Sequence, residues 1–120
     1  MCDKKQHILY LPYPPSVNNM YLTSGRRRYI SKRGVEFKSA VANICKGLTG
    51  FGDCQVEVSI VLFPRDKRLL DIDNCCKAIL DSMQGYIYND DQQVWKLTVE
   101  RGEKIKGGGC QVTIKKYNGK

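Results

Sequence analysis

Histidine is almost missing from this chain: His7 stands alone among 120 residues. The six cysteines, Cys2, Cys45, Cys54, Cys75, Cys76 and Cys110, include no CxxC pair. A zinc centre therefore lacks both ligand spacing and partner ligands. Cys75 and Cys76 are neighbours and do not easily bridge each other, while Cys45, Cys76 and Cys110 fall at apolar positions and read as small core residues. No apolar run is long enough for a bilayer, and Met1 to His7 is polar rather than signal-like. These absences predict a reduced, cytoplasmic protein that contacts no membrane. There is no internal repeat, low-complexity segment or linker, so residues 1–120 read as a single domain. No nucleotide-binding half is evident, which argues against a nucleotide-sugar transferase and against a small-molecule cofactor.

Acid is also scarce. Twelve Asp and Glu face twenty Lys and Arg, for a formal net charge of +8. The basic residues come in runs: Arg26-Arg27-Arg28, Lys32-Arg33, and Arg65, Lys67 and Arg68. Tyr21 and Tyr29 interleave with the first two. Arg and Lys neutralise phosphates and Tyr can stack on exposed bases, so these segments are candidates for binding DNA or another polyanion.

The few acids cluster where they matter. Asp71 and Asp73 stand two apart, Asn74 follows, and Lys77 comes four after Asp73. Cys76, Ile79, Leu80 and Met83 then recur at helical spacing. Asp73 or Asn74 is placed to cap that helix, with Lys77 and Asp81 on its polar face. One reading makes these acids helix caps and solvated ion pairs, worth about 0.3–0.5 kcal/mol each. The other uses Asp90-Asp91, a second pair before a strand-like run. Three carboxylates on two segments suffice to hold Mg²⁺, a hard cation that prefers oxygen.

The remaining periodicity predicts an α/β (α+β) fold, a small mixed sheet of about four strands packed against two helices. Ile8–Leu11 is a strand stopped by Pro12, Pro14 and Pro15. Ser16–Asn19 is a turn or loop, and Thr23-Ser24-Gly25 is a hairpin tip returning along Arg27–Ile30. Ser31 caps a helix to about Leu48, with Phe37, Val41, Ile44 and Leu48 as its apolar stripe. Gln55–Phe63 alternates as a strand, and the motif helix ends near Gly85. Gln93–Glu100 and Cys110–Lys116 read as a closing hairpin joined by a Gly/Lys turn.

Three motifs resemble one known family. Pro14-Pro15-Ser16-Val17-Asn18 (PPS-x-N), Asp71/Asp73/Asn74/Lys77 (D-x-D-N-x-x-K) and Asn89/Asp90/Asp91/Val94 (N-D-D-x-x-V) occur in the order and spacing of RusA-type Holliday junction resolvases. The resemblance spans Leu11 to about Ile114. It implies a small α/β fold, an intertwined homodimer, dependence on Mg²⁺ (Mn²⁺ substituting) and symmetric cutting of four-way DNA junctions in recombination and repair. It places metal-site aspartates at Asp71, Asp73 and Asp91 and an essential lysine at Lys77, with Asn74 in the motif and Asp90 as the neighbouring acid. Asp81, one turn after Lys77 on the helix's polar face, is placed to pair with Lys77 or orient it. Many members carry a basic residue or proline before the first aspartate. Here Leu70 stands there, with Arg65, Lys67 and Arg68 as the nearby charge. A nuclease of flaps or single strands, and a non-catalytic nucleic-acid-binding module, are the alternatives.

Overall fold

The computed structural model describes residues 6–66 and 72–118, apart from the side chains of Val17, Asn18 and Asp73. The main sheet has four strands: β1 (Gln6–Leu11), β4 (Val56–Phe63), β5 (Val94–Arg101) and β6 (Gly109–Lys116). Their spatial order is β1-β6-β4-β5, and the sheet is mixed, since β4 and β5 run parallel and the other pairs antiparallel. Parallel neighbours need a crossover, and α3 (Cys76–Met83) lies on it. A separate two-stranded ribbon pairs β2 (Tyr21–Ser24) with β3 (Arg27–Ile30). It follows a single turn, α1 (Val17–Met20), and precedes α2 (Lys32–Cys45).

β4 is the centre of the core. Val56, Val58, Ile60 and Leu62 alternate inward and are all buried. Register places Ile60 beside Val112 and Leu62 beside Cys110, so the apolar face continues across β6 to Leu9 and Leu11 of β1. Phe37, Val41 and Cys45 of α2 and Ala78, Ile79 and Met83 of α3 complete one cluster with it. Each large aliphatic side chain so buried contributes about 1.5–3 kcal/mol. On the opposite face Glu57 is flanked by Lys115 at 3.6 Å and Lys96 at 3.9 Å.

Four expectations need correction. The last two strands do not form a hairpin, because β4 lies between them. Residues 102–108 step across the end of β4, where Gly102 N–H donates to Leu62 O at 2.7 Å and Ile105 N–H to Pro64 O at 2.9 Å. The link is thus long enough to reach the far side of a buried central strand. Second, neither Asp73 nor Asn74 caps an α-helix. Both lie inside a 3-10 turn, Ile72–Cys75, and α3 proper begins at Cys76 with no side-chain cap bond from Cys75. Third, Cys75 is the buried member of its pair, at the packed junction of turn and helix, and Cys76 is half-buried. Fourth, α2 stops at Cys45, because Gly47 turns left-handed at φ +85°. Leu48 still packs on the core from beyond the helix.

α2 itself starts as expected. The Ser31 hydroxyl accepts from Gly34 N–H at 3.0 Å and donates to Asn19 O. Gly34 is required here, since a Cβ would meet Met20 O and Ile30 Cγ1, each at 2.7 Å. The ribbon base therefore sits directly on the first turn of α2.

Among the described residues no helix is long and apolar enough to cross a membrane.

Candidate active site

Two cleft walls come from segments some sixty residues apart in the chain. The proline exit from β1 supplies Pro12, Tyr13, Pro14, Pro15 and Ser16, and the start of α1 adds Asn19. Asn74 and Cys75 of the 3-10 turn face them across a cavity of about 450 Å³. Proline carbonyls have no intrastrand duty here. Cys75 Sγ contacts Pro14 O at 3.9 Å, and Cys110 Sγ contacts Pro12 O at 3.8 Å. Burial pushes the Cys110 thiol up to about 12, so it is a neutral donor. Arg33 and Arg65 reach the same cavity. The PPS segment and the Asn74 motif, some sixty residues apart in sequence, thus share one cleft with two guanidinium groups.

The second acidic segment is held by hydrogen bonds. Gln93 Nε2 donates to Gly52 O at 2.7 Å and Cys54 O at 2.8 Å, while its Oε1 accepts from Asn89 N–H and Asp90 N–H, both at 2.9 Å. Asn89 Nδ2 also donates to Asp53 at 2.7 Å. Asp90 caps the 3-10 turn Asp91–Gln93, its carboxylate accepting from Gln92 N–H at 2.9 Å in a capping box with Gln93. Asp91 N–H donates to Gln84 Oε1 at 3.3 Å. Among the described residues no donor engages the Asp91 carboxylate, which is half-buried. The turn Ile72–Cys75 that contains Asp73 lies against β5, the strand that Asp91–Gln93 leads into.

Lys77 sits in the first turn of α3, half-exposed, with Nζ 3.3 Å from Asp81. Asp81 also accepts from the Tyr21 hydroxyl at 2.5 Å, and the Arg28 guanidinium lies 4.5 Å over the Tyr21 ring. Burial, and then the Asp81 carboxylate, push the Tyr21 phenol up to about 12. Burial raises Tyr88 further still, and its hydroxyl donates to Leu80 O at 2.6 Å.

The predicted residues therefore divide. Asn74, Arg33 and Arg65 line the main cleft, and Lys77, Asp81 and Arg28 line a second hollow. Arg26, Arg27 and Lys32 are exposed on or beside the ribbon. Asp71, Lys67 and Arg68, and the Asp73 side chain, lie outside the described residues. Among the described residues no three His, Cys, Asp or Glu side chains form a metal cluster. His7 is used elsewhere, bonding Thr49 O at 2.7 Å. Gln93 was missed from sequence, although Asp90-x-x-Gln93 carries the capping-box spacing that signals it. Tyr21 was read only as a stacking residue, and nothing local reveals its bond to Asp81.

Fold and site together define a small basic α/β protein with a cleft lined by its PPS segment, Asn74, Arg33 and Arg65. The family model Endodeoxyribonuclease RusA matches residues 12–115. A crossover junction endodeoxyribonuclease of Enterobacteria phage HK97 is 33% identical over 112 residues, 91% of this chain and 93% of that protein. The phage 82 protein of the same name is 35% identical over 107 residues, 87% and 89% of the two chains. The Escherichia coli K12 protein is 33% identical over 111 residues, 90% and 92%. The chain belongs to the RusA endodeoxyribonuclease family, and it is an enzyme of that class.

Proposed function

We propose that this protein is a Mg²⁺-dependent endonuclease that resolves Holliday junctions by paired, symmetric nicks, acting as a homodimer in recombination and repair. The observation that carries this reading is the shared cleft. It joins the PPS segment, the Asn74 turn, Arg33 and Arg65, and Lys77, three residues after Asn74, pairs with Asp81. The names of the HK97, phage 82 and K12 relatives support the junction as substrate.

The donor chemistry fits a hard cation. Among the described residues Asp91 has no side-chain donor where Asp90 is bound up as a cap, so Asp71, Asp73 and Asp91 are the residues that would hold Mg²⁺ or Mn²⁺. Such an ion, when bound, supplies an acidified water and screens the phosphoryl oxygens. Lys77 brings a fixed positive charge to the phosphoryl group. Arg33 and Arg65 hold the strand in the cleft, and Arg26, Arg27 and Arg28 hold an arm by its phosphates, with Lys32, Lys67 and Arg68 adding charge. Asn74 lines the same cleft.

One cleft per chain makes one nick. Two opposed nicks need two copies, and a C2 dimer matches the approximate two-fold symmetry of a junction. β5 is a sheet edge, with Trp95 60% and Leu97 42% exposed, and its apolar row supports it as the surface between copies. The five cysteines from Cys45 to Cys110 carry thiols rather than disulfides, which fits a reducing compartment such as the cytoplasm.

The test is substrate choice. Labelled four-way junction, flap, single strand and nicked duplex are compared in Mg²⁺. The junction should be cut fastest. Preferred cutting of flaps or single strands, or binding without any cutting, would replace this reading by one of the two alternatives.

A further inference from the structure

The Lys77–Asp81 pair is oriented against its own helix. Lys77 lies in the first turn of α3 and Asp81 four residues later. The helix dipole favours anions at the N-terminus, and an acid preceding a lysine is the stabilising order. A pair in the reverse order whose lysine is half-exposed adds little to the fold. Something other than helix stability accounts for its geometry.

Asp81 has a second partner that is better placed. The Tyr21 hydroxyl donates to Asp81 Oδ2 at 2.5 Å, against 3.4 Å for Lys77 Nζ to Oδ1. Tyr21 is itself fixed. It is the first residue of β2, paired with Ile30, directly after the fully buried Met20. Met20 O accepts from Ser31 N–H at 2.9 Å, and the close approach of Gly34 locks the ribbon base onto α2. Burial, and then the Asp81 carboxylate, push the phenol up to about 12, so it is a donor at neutral pH. Arg28 lies on the same ring, and Arg28, Tyr21, Lys77 and Asp81 line one hollow. A rigid donor on one side and a flexible lysine on the other make Asp81 an aiming post.

We propose that Tyr21 is a positioning residue for strand cleavage: its hydroxyl fixes the Asp81 carboxylate, which holds Lys77 in the hollow that Arg28 also lines. The basic ribbon is then part of the catalytic assembly as well as a handle on DNA. This rests on the nuclease reading above, with Lys77 as the charge that acts on the phosphoryl group.

Tyr21→Phe removes the hydroxyl and keeps the ring beneath Arg28. At saturating junction and Mg²⁺, its single-turnover cleavage should fall about tenfold, the scale of one misplaced charge, with junction Kd within about twofold of the parent. Asp81→Asn should fall similarly, and the double variant should be no slower than the slower single, because both act through one link. In DNA-free protein, the Lys77 ε-methylene NMR signal, assigned with Lys77→Ala, should move to the averaged position of free lysines in Tyr21→Phe. Parent-like cleavage by Tyr21→Phe, a loss confined to Kd, or fully additive losses would each overturn the proposal. If the parent cuts no junction at all, the nuclease reading fails by itself. The Lys77 signal then decides the link alone, and an unchanged signal overturns it.

Discussion

Asp90 and Asp91 are adjacent, equally charged and differently employed. Asp90 is a cap, and Asn caps about as well as Asp, so Asp90→Asn should retain cleavage within about threefold and lose only a few tenths of a kcal/mol of stability. Asp91→Asn removes a carboxylate that no donor among the described residues engages. Its cleavage should fall about a hundredfold or more, with folding and junction affinity kept. Asp73→Asn should behave like Asp91→Asn, with affinity unchanged or raised as a negative charge leaves the phosphates. Melting, gel-shift binding and Mg²⁺-dependent cleavage on the three variants check this. Equal losses for Asp90 and Asp91 would refute the division. At this scale the charged motifs were legible, because few acids in a basic chain stand out at short spacing. The capping role of Asp90 was not, since it depends on where Gln93 reaches, across to Gly52 and Cys54. Nor was Tyr21–Asp81, a pairing sixty residues apart in the chain.

Elements whose signal is local were read well. The ribbon, α2's Ser31 cap and β4 follow from turn residues, a capping hydroxyl and clean alternation. The closing hairpin was misread, because two alternating runs and a turn say nothing about which strand lies between them. The 3-10 turn was hidden by residues that suit a helix cap equally well. Two predictions belong here. Replacing Arg26, Arg27 and Arg28 with Ala should weaken junction and duplex binding alike. It should also flatten the dependence of log K on log salt by about 0.9 for each phosphate that is no longer neutralised. An unchanged slope would make the ribbon a solvated surface. Gly34→Ala should destabilise by about 1–3 kcal/mol in denaturant titration, because the added methyl meets Met20 O and Ile30 Cγ1 at 2.7 Å. A neutral Gly34→Ala would mean that the ribbon base yields freely to α2.

For the whole molecule, stability should fall at alkaline pH. Burial first, for both groups, raises the Cys110 thiol from 9.0 and the Tyr13 phenol from 10.0, each to about 12, and Tyr21 moves the same way. Folded values above unfolded ones mean that the neutral forms are favoured by folding. Their contribution is complete below about pH 9 and is lost as pH rises toward 12. Thermal melting should therefore drop between pH 9 and pH 12, and a flat profile there would contradict the burial of these groups.

At the same scale stands the central claim, that two copies of one metal-dependent cleft act together on one four-way junction. A net charge of +8 suits a protein that must gather several DNA arms. The most direct measurement is nick mapping on a four-way junction labelled on each strand in turn, with Mg²⁺ and with EDTA. The account predicts two nicks at symmetric positions on opposed strands in Mg²⁺ and none in EDTA. Nicks that persist in EDTA, or a single nick on one strand under saturating protein, would contradict it.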